Sequence, residues 1–457
     1  MTNTIIFIYL LTVLIVGMLA GRGIKNISQY AVAGKSYGSM VIFATLSASF
    51  IGGGFSMGNA EKVFLVGIVN ILALWGFSLK EILVACYIAP RMDKYRDAIS
   101  VGDIMDAHYG KTARVFTGVF GFILCAGILG AQIGAIGYII NIFLGIERLW
   151  GIMIGCGIVI TYATVGGMKA VVWTDIVQFV ILAVGLPLTL YFGIQSAGGI
   201  DHIINTVPAD HLTISLEPVA IVALFSLFLT FVFGETLVPP YFQRLLIGRS
   251  AKHVVKGTLY SGLFSIPFFA VTGLIGLVAL VLSPELNPNL ALPYVVQQAL
   301  PPFVKGIVIA AVISIIMSSA DSFLNAAAIC FSNDIVKPLK QKPLSDRSEV
   351  LMARSITLVV GIMAVVFAVS IESILDILIY SYNFWAPIIL VPLVMAVTQR
   401  KVSKTKFMSG AVAGIAVLLV WNYGLNSPWG IHGIVMGVLA NLITFSIVDR
   451  QRMREGP

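Results

Sequence analysis

The chain of 457 residues is 58% hydrophobic and only 11% charged, with a mean hydropathy of +0.97. A soluble protein carries about 25% charged residues, so the composition excludes an ordinary globular domain and indicates an all-α polytopic membrane protein. The net charge of +8 then takes its meaning from where the basic residues fall and gives no sign of a nucleic-acid partner.

At about 20 apolar residues per crossing, the sequence predicts about thirteen spans. They lie near 4–20, 39–58, 66–89, 114–140, 149–166, 171–193, 217–240, 257–282, 303–331, 354–371, 376–398, 407–422 and 431–448. Thr4–Ala20 has no basic segment before it and is followed by Gly21-Arg22-Gly23, so it reads as a retained first span and not as a signal peptide. The second span contains Ser47–Val63, SASFIGGGFSMGNAEKV, which begins as an apolar helix and loses its helix formers at mid-depth. Gly52, Gly53, Gly54 and Gly58 each cost roughly 1 kcal/mol against Ala, and a break there frees backbone groups that lipid cannot satisfy. A second interrupted span, Phe231–Gln243, holds Gly234, Glu235, Pro239 and Pro240.

Two Gly/Pro-broken spans at corresponding places in two halves point to the binding site of an inverted-repeat transporter. Spans two to six (39–193) and seven to eleven (217–398) then form 5+5 inverted repeats of a transport core at 39–398. The first helix and inner loop (1–38), and two C-terminal helices with a short cytoplasmic tail (399–457), are peripheral. An odd number of helices per repeat inverts one half against the other. Gly166-Gly167 mark the turn between the fifth and sixth spans, and the loop Ser283–Pro302, with five prolines, is expected to form an outer lid.

Basic residues set the orientation. One set of alternate loops and the tail carries 25 Lys and Arg, the opposite set only Lys62, Arg148 and Lys305, and Lys80 falls within a span. This places the N-terminus outside and the C-terminus inside the plasma (inner) membrane. Cys86, Cys125, Cys156 and Cys330 all lie in apolar runs without CxxC or Cys/His spacing, and read as small buried hydrophobes.

Ionisable groups within spans are costly and are functional candidates. Asp175, Glu235 and Asp321 lie well inside, Lys80-Glu81 reads as an adjacent structural pair, and Glu61 and Asp334 sit nearer span ends. In the ninth span, AAVISIIMSSADSFLNAAAICFS (310–332), Ile315, Ser318, Ser319 and Ser322 fall within about 100° of one helical face, with Asp321 beside Ser318. Hydroxyls and a carboxylate on one face suit a hard cation such as Na⁺, with the carbonyls of Ala48 and Ile51 supplied by the broken second span. The competing reading is that these Ser hydroxyls bond back to their own helix. Asp175, in YATVGGMKAVVWTDIVQ, serves either such a site or a local role such as pairing with Lys169.

By position, Phe50, Gly53, Gly54 and Phe55 (second span) and Glu235 (seventh) are expected to line the solute cavity. Gln132 and Tyr138 (fourth span) and Asn383 (eleventh) are further candidates, with interhelical hydrogen bonding as the alternative for Gln132 and Asn383. Freed amides at a half-helix N-terminus favour a carboxylate and Glu235 favours an amine. An amino acid, a betaine-like solute or an amine therefore fits better than a simple organic anion.

Three segments carry a resemblance to a known family: VGGMKAVVWTDIVQ (165–178), YFQRLLIGRSA (241–251) and SSADSFLNAA (318–327). Together they resemble the solute:sodium symporter family over roughly residues 25–400. GGGFSMGNAEKVF (52–64), PPYFQR (239–244) and SSADS (318–322) are most similar to its high-affinity choline transporter branch. The resemblance implies a sodium site from the Ala48, Ile51 and Ile315 carbonyls and the Ser318 and Ser319 hydroxyls. It further implies a second cation site, present in some members, from Asp175, Ser318 and Ser322, which Asp321 is placed to join. The chain departs from the choline pattern at the aromatic box that cation–π recognition needs. Phe50, Val238 and Ile128 stand where those transporters place tryptophans, so the transport class carries over and the choline substrate does not.

The sequence thus predicts a sodium-coupled symporter importing a small organic solute, with Na⁺ as coupling ion, no other cofactor, no transition metal and no obligate protein partner. A proton-coupled or organic-anion symporter of the same fold is the nearest alternative. A transporter-fold sensor is expected to need a cytoplasmic signalling domain, and nine residues follow the last predicted span. A channel needs a continuous pore, which two broken helices facing one midplane site argue against. No His lies mid-membrane and no nucleophile–base set is visible, which argues against an enzyme.

Overall fold

Helix length decides how often a chain can cross a bilayer. The computed structural model describes residues 2–51, 53–340, 344–370, 383, 385–398, 400 and 402–454, and every regular element among them is helical. The first helix is α1 (Thr2–Ala20), followed by the short α2 (Ile27–Val32). The second predicted span is two helices, α3 (Ser39–Phe50) and α4 (Gly53–Val66). There follow α5 (Val69–Leu83), α6 (Val101–Tyr109), α7 (Lys111–Leu144), α8 (Arg148–Ser196) and the short α9 (Ile200–Thr206) and α10 (Ala209–Leu212). The seventh predicted span is also split, into α11 (Pro218–Phe233) and α12 (Pro239–Leu246). The chain continues through α13 (Ala251–Leu282), α14 (Ala291–Ala299), α15 (Pro302–Ile329), α16 (Lys337–Leu339) and α17 (Asp346–Ser370). It closes with α18 (Val391–Val397), α19 (Lys404–Leu419) and α20 (Gly433–Arg454). Most of the predicted eleventh span lies outside the described residues.

Eight described helices are long and apolar enough to cross a membrane, and the α3–α4 pair, bent by 49°, makes a ninth. At about 1.5 Å per residue, α8 as one rod would reach roughly 73 Å, more than twice the ~30 Å hydrocarbon core. It is in fact two helices joined at Gly167, whose backbone is non-helical (φ 48°, ψ −141°). The predicted turn at Gly166-Gly167 is therefore present.

Both interrupted spans break, and the first is narrower than its glycines suggest. Gly53, Gly54 and Gly58 lie within α4, and the described part of the interruption is Ile51 (φ −88°, ψ 18°). At the second, Gly234–Val238 leave the helix and Leu237 takes the left-handed region (φ 56°), unusual for a branched side chain. Pro239 and Pro240 do not cause that break; they open α12 in its first turn, where their missing N–H groups are tolerated.

The centre of the molecule is α15, which is buried from Val308 to Ile329, its polar face included. It packs against α7, α8, α1 and α3, while α13 packs against α3, α4 and α5. Exposed apolar side chains such as Phe7, Leu11 and Ile15 on α1 and Met363 and Val366 on α17 face outward, where lipid would cover them. Cys125, Cys156 and Cys330 are buried, but Cys86 is exposed, a correction to the expectation for all four: it lies with Leu83 and Tyr87 on the outer flank of a run whose other side is buried. The expected outer lid holds α14, packed on α13, α8 and α4.

Between the loop after α2 and the loop after α12, Tyr37 N–H donates to Ile247 O (3.1 Å) and Arg249 N–H to Tyr37 O (3.0 Å). Lys35 donates to the carbonyls of Tyr95 (3.4 Å), Arg96 and Ala98 (2.6 Å). A cavity of only about 10 Å³ remains between these loops.

The turn in α8 gives a direct test. A Cβ on Gly167 would lie 2.5 Å from Tyr30 O, whereas one on Gly157 would meet nothing within 4 Å. Gly167→Ala is expected to cost about 1–3 kcal/mol and to lower the thermal midpoint, with Gly157→Ala close to wild type in the same melt.

Candidate functional site

The break after Phe50 brings the end of α3 against the middle of α15. Ser319 O–H reaches both Ser49 O (3.0 Å) and Ile315 O (3.2 Å). The second contact is the local back-bond that a membrane Ser makes by itself; the first ties α15 to α3. Ser318 O–H donates to Asp175 Oδ1 (2.5 Å) and lies 3.1 Å from Ser49 Oγ. Ser322 O–H donates to Ser318 O (2.6 Å) and lies 3.1 Å from Ser49 Oγ. Ala48, Ile51 and Ile315 are fully buried around these hydroxyls, and Ile51 O accepts from Ser56 (2.8 Å).

Asp175, on the second half of α8, is completely buried. It pairs with Arg244 (Nη2 to Oδ2, 3.1 Å) and not with Lys169. Its Oδ2 also accepts from Thr45 and Ser49 (3.2 Å). Arg244 further donates to Thr45 Oγ1 (3.1 Å), Ser49 Oγ (2.7 Å), Ser322 Oγ and Pro240 O (2.9 Å). Arg244 is 0% exposed, so it leaves the set of loop charges used for orientation and becomes part of the site. Asp321, also fully buried, accepts from Tyr162 O–H (2.6 Å), Thr174 (3.3 Å) and Ser322 (3.1 Å). Of the residues expected for a second cation, Ser322 touches Asp321 directly and is linked to Asp175 through Arg244 and Ser49, so the guanidinium stands among them.

A second buried cluster adjoins the first. Lys80 Nζ pairs with Glu81 (2.7 Å) and lies over the rings of Phe77 (3.7 Å), Tyr241 (4.3 Å) and Phe50 (5.9 Å). Tyr241 O–H donates to the other Glu81 oxygen (3.0 Å). The Arg244 guanidinium stands 5.5 Å from the same Phe50 ring.

Of the solute candidates, Phe50 belongs to both clusters. Phe55 packs against Phe77 (5.2 Å between ring centres), Phe231 and Phe269. Gly53 and Gly54 open α4. Glu235 is buried inside the second break, and Gln132 and Asn383 are buried on α7 and in the eleventh span. Tyr138 is 39% exposed, on the outside of the helix that buries Gln132, and does not join them; the 3.6-residue period turns it six positions away from Gln132 onto the outer flank. Val238 and Ile128 are fully buried.

Sequence reasoning missed Arg244, Thr45, Ser49 and Tyr162. The signals were present: Arg244 sits inside the apolar run YFQRLLI, and Thr45 and Ser49 are four apart on one helical face.

Long apolar helices, two of them broken around a buried polar cluster, define a multi-pass membrane protein of the transporter kind. The model of the sodium:solute symporter family matches residues 30–416, and the chain belongs to that family. It is 24% identical to the high-affinity proline transporter PutP of Bacillus subtilis across 95% of each chain. It is 26% identical to high-affinity choline transporter 1 of Caenorhabditis elegans, over 91% of this chain and 76% of that one. Among solved structures, the substrate-bound, outward-open state of a Na⁺-coupled sialic acid symporter superposes with a TM-score of 0.84 at 21% identity, covering 98% of this chain and 97% of that one. It shows the fold.

Removing one partner of a buried ion pair costs about 3–5 kcal/mol because the other charge is left uncompensated. Arg244→Met is expected to destabilise by that order, and Arg244→Met combined with Asp175→Asn to recover most of it, both measured by thermal denaturation of the purified protein.

Proposed function

We propose that this protein is a sodium-coupled symporter importing a small organic solute by alternating access, with the coupling ion held where the broken α3 meets α15. The observation that carries this is the Ser318–Ser319 pair: one hydroxyl touches a carboxylate, the other a carbonyl beside the α3 break. The ligand set is Ala48, Ile51 and Ile315 carbonyls with the Ser318 and Ser319 hydroxyls, all oxygens, as a hard cation prefers. With both carboxylates ionised, Asp175 and Asp321 carry two negative charges against the single positive charge of Arg244 in the buried cluster, and a monovalent cation balances the remainder.

A second cation at Asp175, Asp321 and Ser322 has to displace the Arg244 guanidinium, so we assign one sodium ion per cycle. Phe50, Gly53, Gly54, Phe55, Gln132, Glu235 and Asn383 are retained as the solute-facing set. The relatives' solutes, proline and choline, are both small organic molecules, in keeping with an amino-acid, betaine-like or amine substrate. The thirteen spans, the repeats at 39–193 and 217–398, the outside N-terminus and the inner-membrane location belong to the same proposal. Binding of ion and solute stabilises an occluded state, and rocking of one bundle against the other exchanges access.

Ligand linkage stabilises a protein by about 2.7 kcal/mol at a hundred times the dissociation constant. The thermal midpoint is expected to rise in NaCl over KCl at equal ionic strength, and the rise to vanish in Ser319→Ala. Equal midpoints in the two salts would remove sodium and favour a proton at Asp175 or Asp321. Uptake by reconstituted vesicles should depend hyperbolically on sodium; a sigmoidal curve would mean a second ion and a displaced Arg244.

A further inference from the structure

The Lys80–Glu81 pair sits where both helix breaks converge. Phe50 is the last residue of α3 and Tyr241 the third of α12, so each broken span contributes one ring to the cage around the Lys80 ammonium. The third ring, Phe77, comes from α5 itself, three residues before Lys80. A three-ring cage with a carboxylate at its edge is a receptor for an ammonium group. Here the chain fills that receptor with its own lysine, and both charges are fully buried, at 1% and 0% exposure.

We propose that Lys80 and Glu81 form a charge-exchanging receptor for a zwitterionic solute: on binding, Lys80 turns to the solute carboxylate while Glu81 and the cage take its ammonium. This rests on the symport reading above and names the substrate class within it. The argument is charge balance. A buried charge that loses its partner is left uncompensated. A zwitterion gives each member of the pair a new partner as it separates them, so no charge is stranded. A singly charged amine satisfies Glu81 and strands Lys80; an organic anion does the reverse. An uncharged solute offers neither member a substitute. Phe50 also lies against Arg244, so movement of Lys80 out of the cage is felt by a ring that borders the cation cluster.

The test uses the full-length purified protein in NaCl and follows the thermal midpoint against a panel of matched size. The panel comprises glycine betaine and the small amino acids without an ionisable side chain as zwitterions, tetramethylammonium and choline as cations, and butyrate as an anion. Wild type is expected to respond to one or more zwitterions and to no singly charged member. Lys80→Met leaves the cage and Glu81 in place and should prefer tetramethylammonium over the wild-type zwitterion by at least tenfold in apparent affinity. Glu81→Gln leaves Lys80 and should move the preference to butyrate. The neutral double variant Lys80→Met/Glu81→Gln, which buries no unpaired charge, should lose discrimination by charge; it serves if a single variant does not fold. A wild type that responds equally to singly charged solutes, or to no zwitterion, overturns the proposal, as do variants that keep the wild-type preference. Sodium-specific stabilisation persisting through such a failure confines it to the ion pair; its absence in wild type takes down the symport reading itself.

Discussion

Backbone groups released by a helix break inside a membrane have no water to turn to and must find partners within the protein. In this molecule side chains meet that demand at both breaks. At the first, Ser319 donates to Ser49 O and Ser56 to Ile51 O. At the second, Trp385 donates its indole N–H to Thr236 O (3.2 Å). Ser319 and Trp385 come from the ninth and eleventh predicted spans, far from the breaks in sequence. The interruptions are therefore held open by the rest of the fold, which explains why α15 has to be central and buried along its length. Of these carbonyls, that of Ile51 also belongs to the proposed cation set.

Two fully buried ion pairs among the described residues share one aromatic ring. Arg244–Asp175 lies with the Ser-rich face of α15, Lys80–Glu81 lies in a ring cage, and Phe50 is within cation–π distance of both cations. Buried pairs of this kind contribute little net stability, because desolvation offsets most of the attraction. Their value is that each charge is one partner exchange away from accepting a ligand. A site built from internal pairs stays compensated when empty, and is opened by a ligand that supplies the matching charge.

Much of this was legible in the chain. The Gly and Pro clusters marked the neighbourhood of both breaks, although Gly53, Gly54 and Gly58 are helical in α4 and Pro239 and Pro240 open α12. The 3.6-residue period placed Ser318, Ser319 and Ser322 on one face, and that face meets Asp175 and Ser49. Arg244 was passed over because a basic residue near the end of a span counts equally well as a topological charge; its apolar setting, YFQRLLI, hinted otherwise, and the packing of α12 buries it completely. The cage around Lys80 draws on positions 50, 77 and 241, and no local pattern predicts that three rings so far apart will surround one ammonium. Tyr138 shares α7 with Gln132, but rotation about the helix axis carries it to the outer flank, away from the buried candidates.

The account depends most on a cation seated between the end of α3 and the middle of α15. Equilibrium binding of radioactive sodium to the purified protein tests this directly, comparing wild type with a Ser318→Ala/Ser319→Ala variant and with Lys80→Met. Saturable binding in wild type and in Lys80→Met, lost in the serine variant, is the predicted result. Saturable binding that survives loss of both serines, or no saturable binding in wild type, would contradict it.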